Sequence, residues 1–135
     1  MKIVVIDGQG GRIGKMVIEA ILDITQNHEL IAIGTNALAT ATMIKAGATK
    51  AATGENPVVV NAQTADLIIG PIGIIMANSL LGEVSEKMAV AISSSSARKI
   101  LVPISKCNHV VVGVQDLSLN EYIQLVKQEV KKQCC

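Results

Sequence analysis

A single α/β domain, with helices on both faces of a mostly parallel sheet, is the fold this sequence predicts. Three observations carry that expectation. Short β-branched runs alternate along the chain with segments of helical periodicity. Half of the residues (50%) are apolar, yet Phe and Trp are absent and Tyr122 is the single aromatic, so the core must be built from Ile, Val, Leu, Ala and Met. That palette suits strands buried on both faces. At 135 residues the chain can fill one sizeable core, so residues 1–135 read as one domain.

The elements follow in order. Lys2-Ile3-Val4-Val5-Ile6 is the first strand, and a helix starts in the glycine-rich stretch behind it and runs to about Gln26. Ile13, Val17, Ala20, Ile21 and Ile24 share one face of that helix, and Lys15 and Glu19 stand at a pairing distance on the other. His28 falls at the helix end, where an imidazole complements the dipole. Leu30–Ile33 is the second strand; Asn36 then caps a second helix that Gly47 terminates. Lys50–Ala52 is a weak strand. Val58-Val59-Val60 is β-like, but Glu55-Asn56-Pro57 before it suits a helix start, so both alternatives stay open. Asp66–Ile69 is a buried strand closed by Gly70-Pro71-Ile72-Gly73, and a helix follows from Ser85 to about Ala97. Lys99–Pro103 and His109–Val112 read as two further strands; paired as a hairpin, they would make the last one an antiparallel edge. Ser118 and Glu121 form a capping box that opens a final helix with the stripe Leu119, Tyr122, Ile123, Val126 and Val130.

Chemistry concentrates in Asp7-Gly8-Gln9-Gly10-Gly11-Arg12-Ile13-Gly14. Strand, glycine loop and helix in that order let the backbone approach a bulky anion while unpaired N–H groups of the helix start point at it. Gly8-x-Gly10 would need a third glycine at position 13, where Ile13 stands; Gly8-x-x-Gly11-x-x-Gly14 does match a glycine spacing. The loop that wraps a triphosphate with Lys and a Mg²⁺-binding hydroxyl is a near miss, because Gln9 and Met16 occupy its decisive positions. The expected cradle therefore comprises Gly8, Gln9, Gly10, Gly11, Arg12, Ile13 and Gly14. Two further strand ends, Thr35 with Asn36 and Gly70, Pro71 with Gly73, complete a crevice at the carboxyl edge. The second strand ends without an acid, which argues against strong NAD preference and allows NADP or another adenine nucleotide, with Arg12 as the nearest cation. Arg12 has the alternative of a solvated helix residue. Asp7 would repel a pyrophosphate, and is read first as a turn former.

Other residues carry less. Ser93–Ser96 with Arg98 and Lys99 reads as a solvated helix end before a second anion site. Cys107 and His109 sit two apart without a third group, so no nucleophilic or metal site is assigned, and Glu83, Glu86 and Asp116 read as surface carboxylates or turn formers. Three cysteines, two at the C-terminus, make no disulfide framework. A formal net charge of +1 and the near absence of aromatics argue against nucleic acid, and no leader or bilayer-length apolar run is visible, so a cytoplasmic protein is expected.

The segment Gly8–Gly14 resembles the N-terminal loop of dihydrodipicolinate reductases, which implies a pyridine nucleotide there. Ile6–Gly11, Gly34-Thr35-Asn36, Ala52–Asn56, Gly70–Gly73 and Lys99–Pro103 together resemble a family of short bacterial Rossmann-like proteins of unknown function. That resemblance implies a three-layer Rossmann-like sandwich and transfers no catalytic residue. Two functions fit: a nucleotide-binding or sensing module, or a minimal NAD(P)-dependent oxidoreductase whose pocket a homodimer completes. The open sheet edges and the stripe of the last helix suggest the dimer.

Overall fold

The computed structural model describes residues 1–104 and 108–134. Among these residues five strands and five α-helices alternate: β1 (Lys2–Asp7), α1 (Arg12–Ile21), β2 (Glu29–Gly34), α2 (Ala37–Lys45), β3 (Lys50–Thr53), α3 (Glu55–Ala62), β4 (Leu67–Pro71), α4 (Glu86–Ser93), β5 (Arg98–Val102) and α5 (Leu119–Cys134). The strands form one sheet of order β3-β2-β1-β4-β5, and every neighbouring pair is parallel. The fold is a three-layer Rossmann-like sandwich.

Period-2 alternation in β1 divides the core. Ile3 and Val5 join Val17, Ile18, Ile21, Met43, Ile123, Val126 and Val130 on one face, under α1, α2 and α5. Val4 and Ile6 join Val58, Ala62, Met88, Ala89 and Ile92 on the other, under α3 and α4. Burying each Ile or Val contributes on the order of 1.5–3 kcal/mol, which is how a chain nearly without aromatics holds together.

Several expectations need correction. Helix α1 stops at Ile21 and tightens into a 3₁₀ turn at Leu22–Ile24, where the Thr25 hydroxyl donates to the Ile21 carbonyl at 2.8 Å. His28 lies beyond that turn, its Nδ1 3.1 Å from the amino terminus, so it does not cap the helix. Lys15 and Glu19 do not pair; the ion pairs among the described residues are Lys50–Glu29, Lys127–Asp23 and Lys132–Glu129. Of the two alternatives for residues 58–60 the helix holds, because the crossover from β3 to β4 must cover the sheet, and Val58 and Ala62, one turn apart, bury that face. Helix α4 ends at Ser93, short of Ala97.

The hairpin is absent from the described residues. β5 runs parallel because α4 carries the chain back across the sheet before it starts, and His109–Val112 is irregular, with Val110 and Val112 87% and 94% exposed. β-Branched side chains favour a pleated partner and do not create one. The capping box forms as read: Glu121 N–H donates to Ser118 Oγ at 3.2 Å, and Ser118 N–H to Glu121 Oε1 at 3.1 Å. The α5 stripe packs inside its own chain, with Ile123, Val126 and Val130 buried against α1 and the sheet, so its burial needs no partner subunit. No helix among the described residues is long and apolar enough to cross a membrane.

Candidate functional site

The carboxyl ends of β1 and β4 define the site. β1 pairs with β2 along its whole length, Lys2 to Asp7, but with β4 only through Ile3, Val4 and Val5. α1 leaves β1 on one face of the sheet, while the chain leaving β4 turns to the other. Between the two departures lies a cleft of about 240 Å³, lined by Asp7, Gly8–Ile13, Pro71, Leu80, Ile104 and Leu119.

The four glycines of the loop do different work. A Cβ on Gly8 would lie 2.6 Å from Thr35 Oγ1 and 2.9 Å from Leu80 Cδ1. Gly11 takes φ +75°, and a Cβ there would meet the Ala39 carbonyl oxygen at 2.8 Å. On Gly14 it would meet Met43 Sδ at 2.5 Å, so this glycine brings α1 close to α2. Only Gly10 faces open space, with nothing within 4 Å of a Cβ. Three of the four glycines therefore have a packing reason, and Gly10 has none.

Asp7 is the floor of the site, only 4% exposed. Its carboxylate accepts from Gly8 N–H at 2.8 Å and from Gly14 N–H at 2.7 Å, folding the loop around itself and neutralising part of the α1 dipole. Burial pushes its pKa above the ordinary 3.8; the Gly14, Gly8 and Ile13 N–H groups pull against that, and the charge of Glu83 adds to it. Asp7 is thus the turn former expected from the sequence. The N–H groups of Gly10 and Arg12 have no hydrogen-bond partner among the described residues, and the exposed Arg12 forms no ion pair there.

The decisive side chain is one that sequence reasoning left on the surface. Glu83, in the loop before α4, reaches across the carboxyl edge to β2. Its Oε1 accepts from Gln9 N–H at 2.9 Å, the Thr35 hydroxyl at 2.7 Å and the Asn36 amide at 2.7 Å. Asn36 also donates to the Gln9 carbonyl at 2.9 Å and caps α2 through Ala39 N–H. Partial burial raises the Glu83 pKa, but the three donors outweigh it and hold the carboxyl below its ordinary 4.5. The expectation that no acid stands at the end of β2 is therefore overturned in space, although it is correct along the strand. The signal available was weak: Glu83 follows the carboxyl end of a central strand, but its partners lie 74, 48 and 47 positions away.

Of the other expected residues, Gly8, Gln9, Gly10, Gly11, Arg12, Ile13 and Pro71 line the cleft. Gly14, Thr35 and Asn36 stand behind it, and so do Gly70, whose Cβ would strike the Ile6 carbonyl oxygen at 2.3 Å, and Gly73, whose carbonyl accepts from Ser79. In the serine run, Ser94 and Ser95 donate to the carbonyls of Val90 and Ala62, and Lys99 donates to the Ser93 and Ser95 carbonyls at the negative end of α4. Cys107 and Cys135 lie outside the described residues, and with Cys107 the suggested pair with His109.

No curated protein and no solved structure matches the chain. A family model, the domain of unknown function DUF3842, matches residues 2–135, and the chain, with its all-parallel sheet and glycine loop, belongs to that family.

Proposed function

We propose that this protein binds a nucleotide at the β1–α1 loop and acts as a binding or sensing module. The observation that carries this reading is the position of the cleft. It opens between the neighbouring strands β1 and β4, whose outgoing crossovers leave the sheet on opposite faces, which is where open parallel sheets hold their ligands. The N–H groups of Gly10 and Arg12 and the Arg12 guanidinium, without partners among the described residues, suit a phosphate, and Ile13, Pro71, Leu80, Ile104 and Leu119 supply apolar walls. About 240 Å³ is small for a ligand pocket and suits a phosphoribosyl portion better than a whole dinucleotide. A binding role is favoured over an oxidoreductase because, among the described residues, Asp7 and Arg12 are the ionisable groups lining the cleft, and Asp7 is committed to backbone donors.

Calorimetric titration with AMP, ATP, NAD and NADP tests this. Gly10→Leu should keep the fold and weaken binding at least tenfold. Absence of binding by the wild type at millimolar concentration overturns the reading. A homodimer belongs to the same proposal, now through an open edge at β3 or β5 instead of α5. Light scattering at tens of micromolar under reducing conditions should give twice the chain mass, and a monomer mass excludes it.

A further inference from the structure

We propose that Glu83 reads the ribose of this ligand and selects a nucleotide with a free 2′-hydroxyl, NAD-type over NADP-type. This rests on the nucleotide reading above. In such sheets an acid at the end of the second strand accepts the ribose hydroxyls. Here β2 ends in Gly34 and is followed by Thr35 and Asn36, none of them acidic. Both side chains instead hold the Glu83 carboxylate in that place, through the same Oε1. The hydroxyl and amide protons that would have greeted a 2′-phosphate are spent on a carboxylate that repels one.

The rest of Glu83 suits an acceptor. Its Oε2 has no partner among the described residues, and the side chain is only half-buried. No Lys or Arg among those residues pairs with it. The three donors on Oε1 keep it ionised, and orient it beside Gly8 and Gln9 of the cleft. Its position is also costly to hold. Leu80, Leu81 and Gly82, just before it, take φ values of +53°, +57° and +85°. A left-handed leucine is unfavourable, and Leu81, 95% exposed, regains nothing by burial. The product of that backbone is the placement of Leu80 in the cleft wall and of Glu83 at the end of β2.

The test is a calorimetric comparison of NAD and NADP on the wild type and on Glu83→Gln, with thermal melting as the fold control. The wild type should bind NAD at least tenfold tighter. Glu83→Gln retains an acceptor oxygen for its three donors but loses the charge, and should bring the two ligands within about threefold. A clasp with no ligand role would weaken both equally and leave the ratio unchanged, which overturns the proposal. So does a wild-type protein that binds both ligands equally or prefers NADP, while the nucleotide reading survives. Failure to bind AMP, NAD or NADP at all ends that reading and the inference with it. AMP against 2′-deoxy-AMP asks the same question of the unaltered chain: loss of the hydroxyl should weaken binding at least fivefold, and equal affinity counts against Glu83.

Discussion

Two loops meet at the carboxyl edge of the sheet, and they solve the same backbone problem differently. The loop 8–14 needs a left-handed residue at position 11 and has Gly11 there, with Gln9 as its one non-glycine at positive φ. The segment 76–84 also needs left-handed residues, and carries them on Asn78, Leu80 and Leu81 as well as Gly82. The first loop is relaxed by its composition. The second is held by its contacts: Leu80 is buried, Asn78 N–H donates to the Val84 carbonyl at 2.7 Å, and Glu83 is gripped by three donors. A relaxed loop tolerates loss of a contact, whereas a strained one depends on it.

The sharpest way to break this contrast is Gly11→Val. It adds a left-handed penalty and a clash with the Ala39 backbone, and should destabilise by about 3 kcal/mol or more in a denaturant titration. Loss of ligand binding in that variant would then report unfolding, so Gly10 is the better probe of the cleft. A fully stable Gly11→Val would mean that the loop has another conformation.

Glu83→Ala comes next, at about 1–2 kcal/mol, because Gln9 N–H, Thr35 and Asn36 lose a shared charged acceptor at a partly exposed site. The pH dependence gives its signature. Folding lowers the Glu83 pKa below 4.5, so its contribution is present above that value and is lost as pH falls through the folded-state pKa. Wild type and Glu83→Gln should therefore differ in stability at pH 7 and converge in acid. Asp7 works in the opposite sense. Its pKa is raised above 3.8, so its contribution is largest at acid pH and declines as pH rises through the folded value. Melts of Glu83→Gln, which lacks the opposing carboxylate, should lose part of the acid sensitivity of the wild type.

Leu81→Gly should stabilise by roughly 0.5–1 kcal/mol, since relief of a left-handed leucine exceeds the entropy of an added glycine and no burial is lost. A destabilised Leu81→Gly would show that the exposed side chain has a partner. The smallest effect belongs to Gly10→Ala, within about 0.5 kcal/mol of wild type, because its Cβ meets nothing. A large loss there would remove the steric distinction between Gly10 and its neighbours.

Legibility followed the range of the forces involved. β1, the glycine loop and the start of α1 are readable because each depends on residues a few positions apart. The Asn36 cap, the stop at Gly47 and the Ser118–Glu121 box are local for the same reason. Val58–Val60 and His109–Val112 have similar composition, but one became helix and the other an exposed irregular segment. Side-chain preference for strands is satisfied only by a neighbour, and neighbours are assigned by the chain path.

By itself, then, the sequence determined the alternation of elements, the two-sided burial of β1 and the relaxed turn around Asp7, because hydrophobic period, capping and glycine conformation act within one or two turns of chain. The strand order, the parallel direction of β5, the internal use of the α5 stripe and the seat of Glu83 beside Thr35 and Asn36 were decided only in three dimensions. Those depend on contacts tens of residues apart, whose geometry follows from how the crossovers pack against the sheet and leaves no periodic trace along the chain.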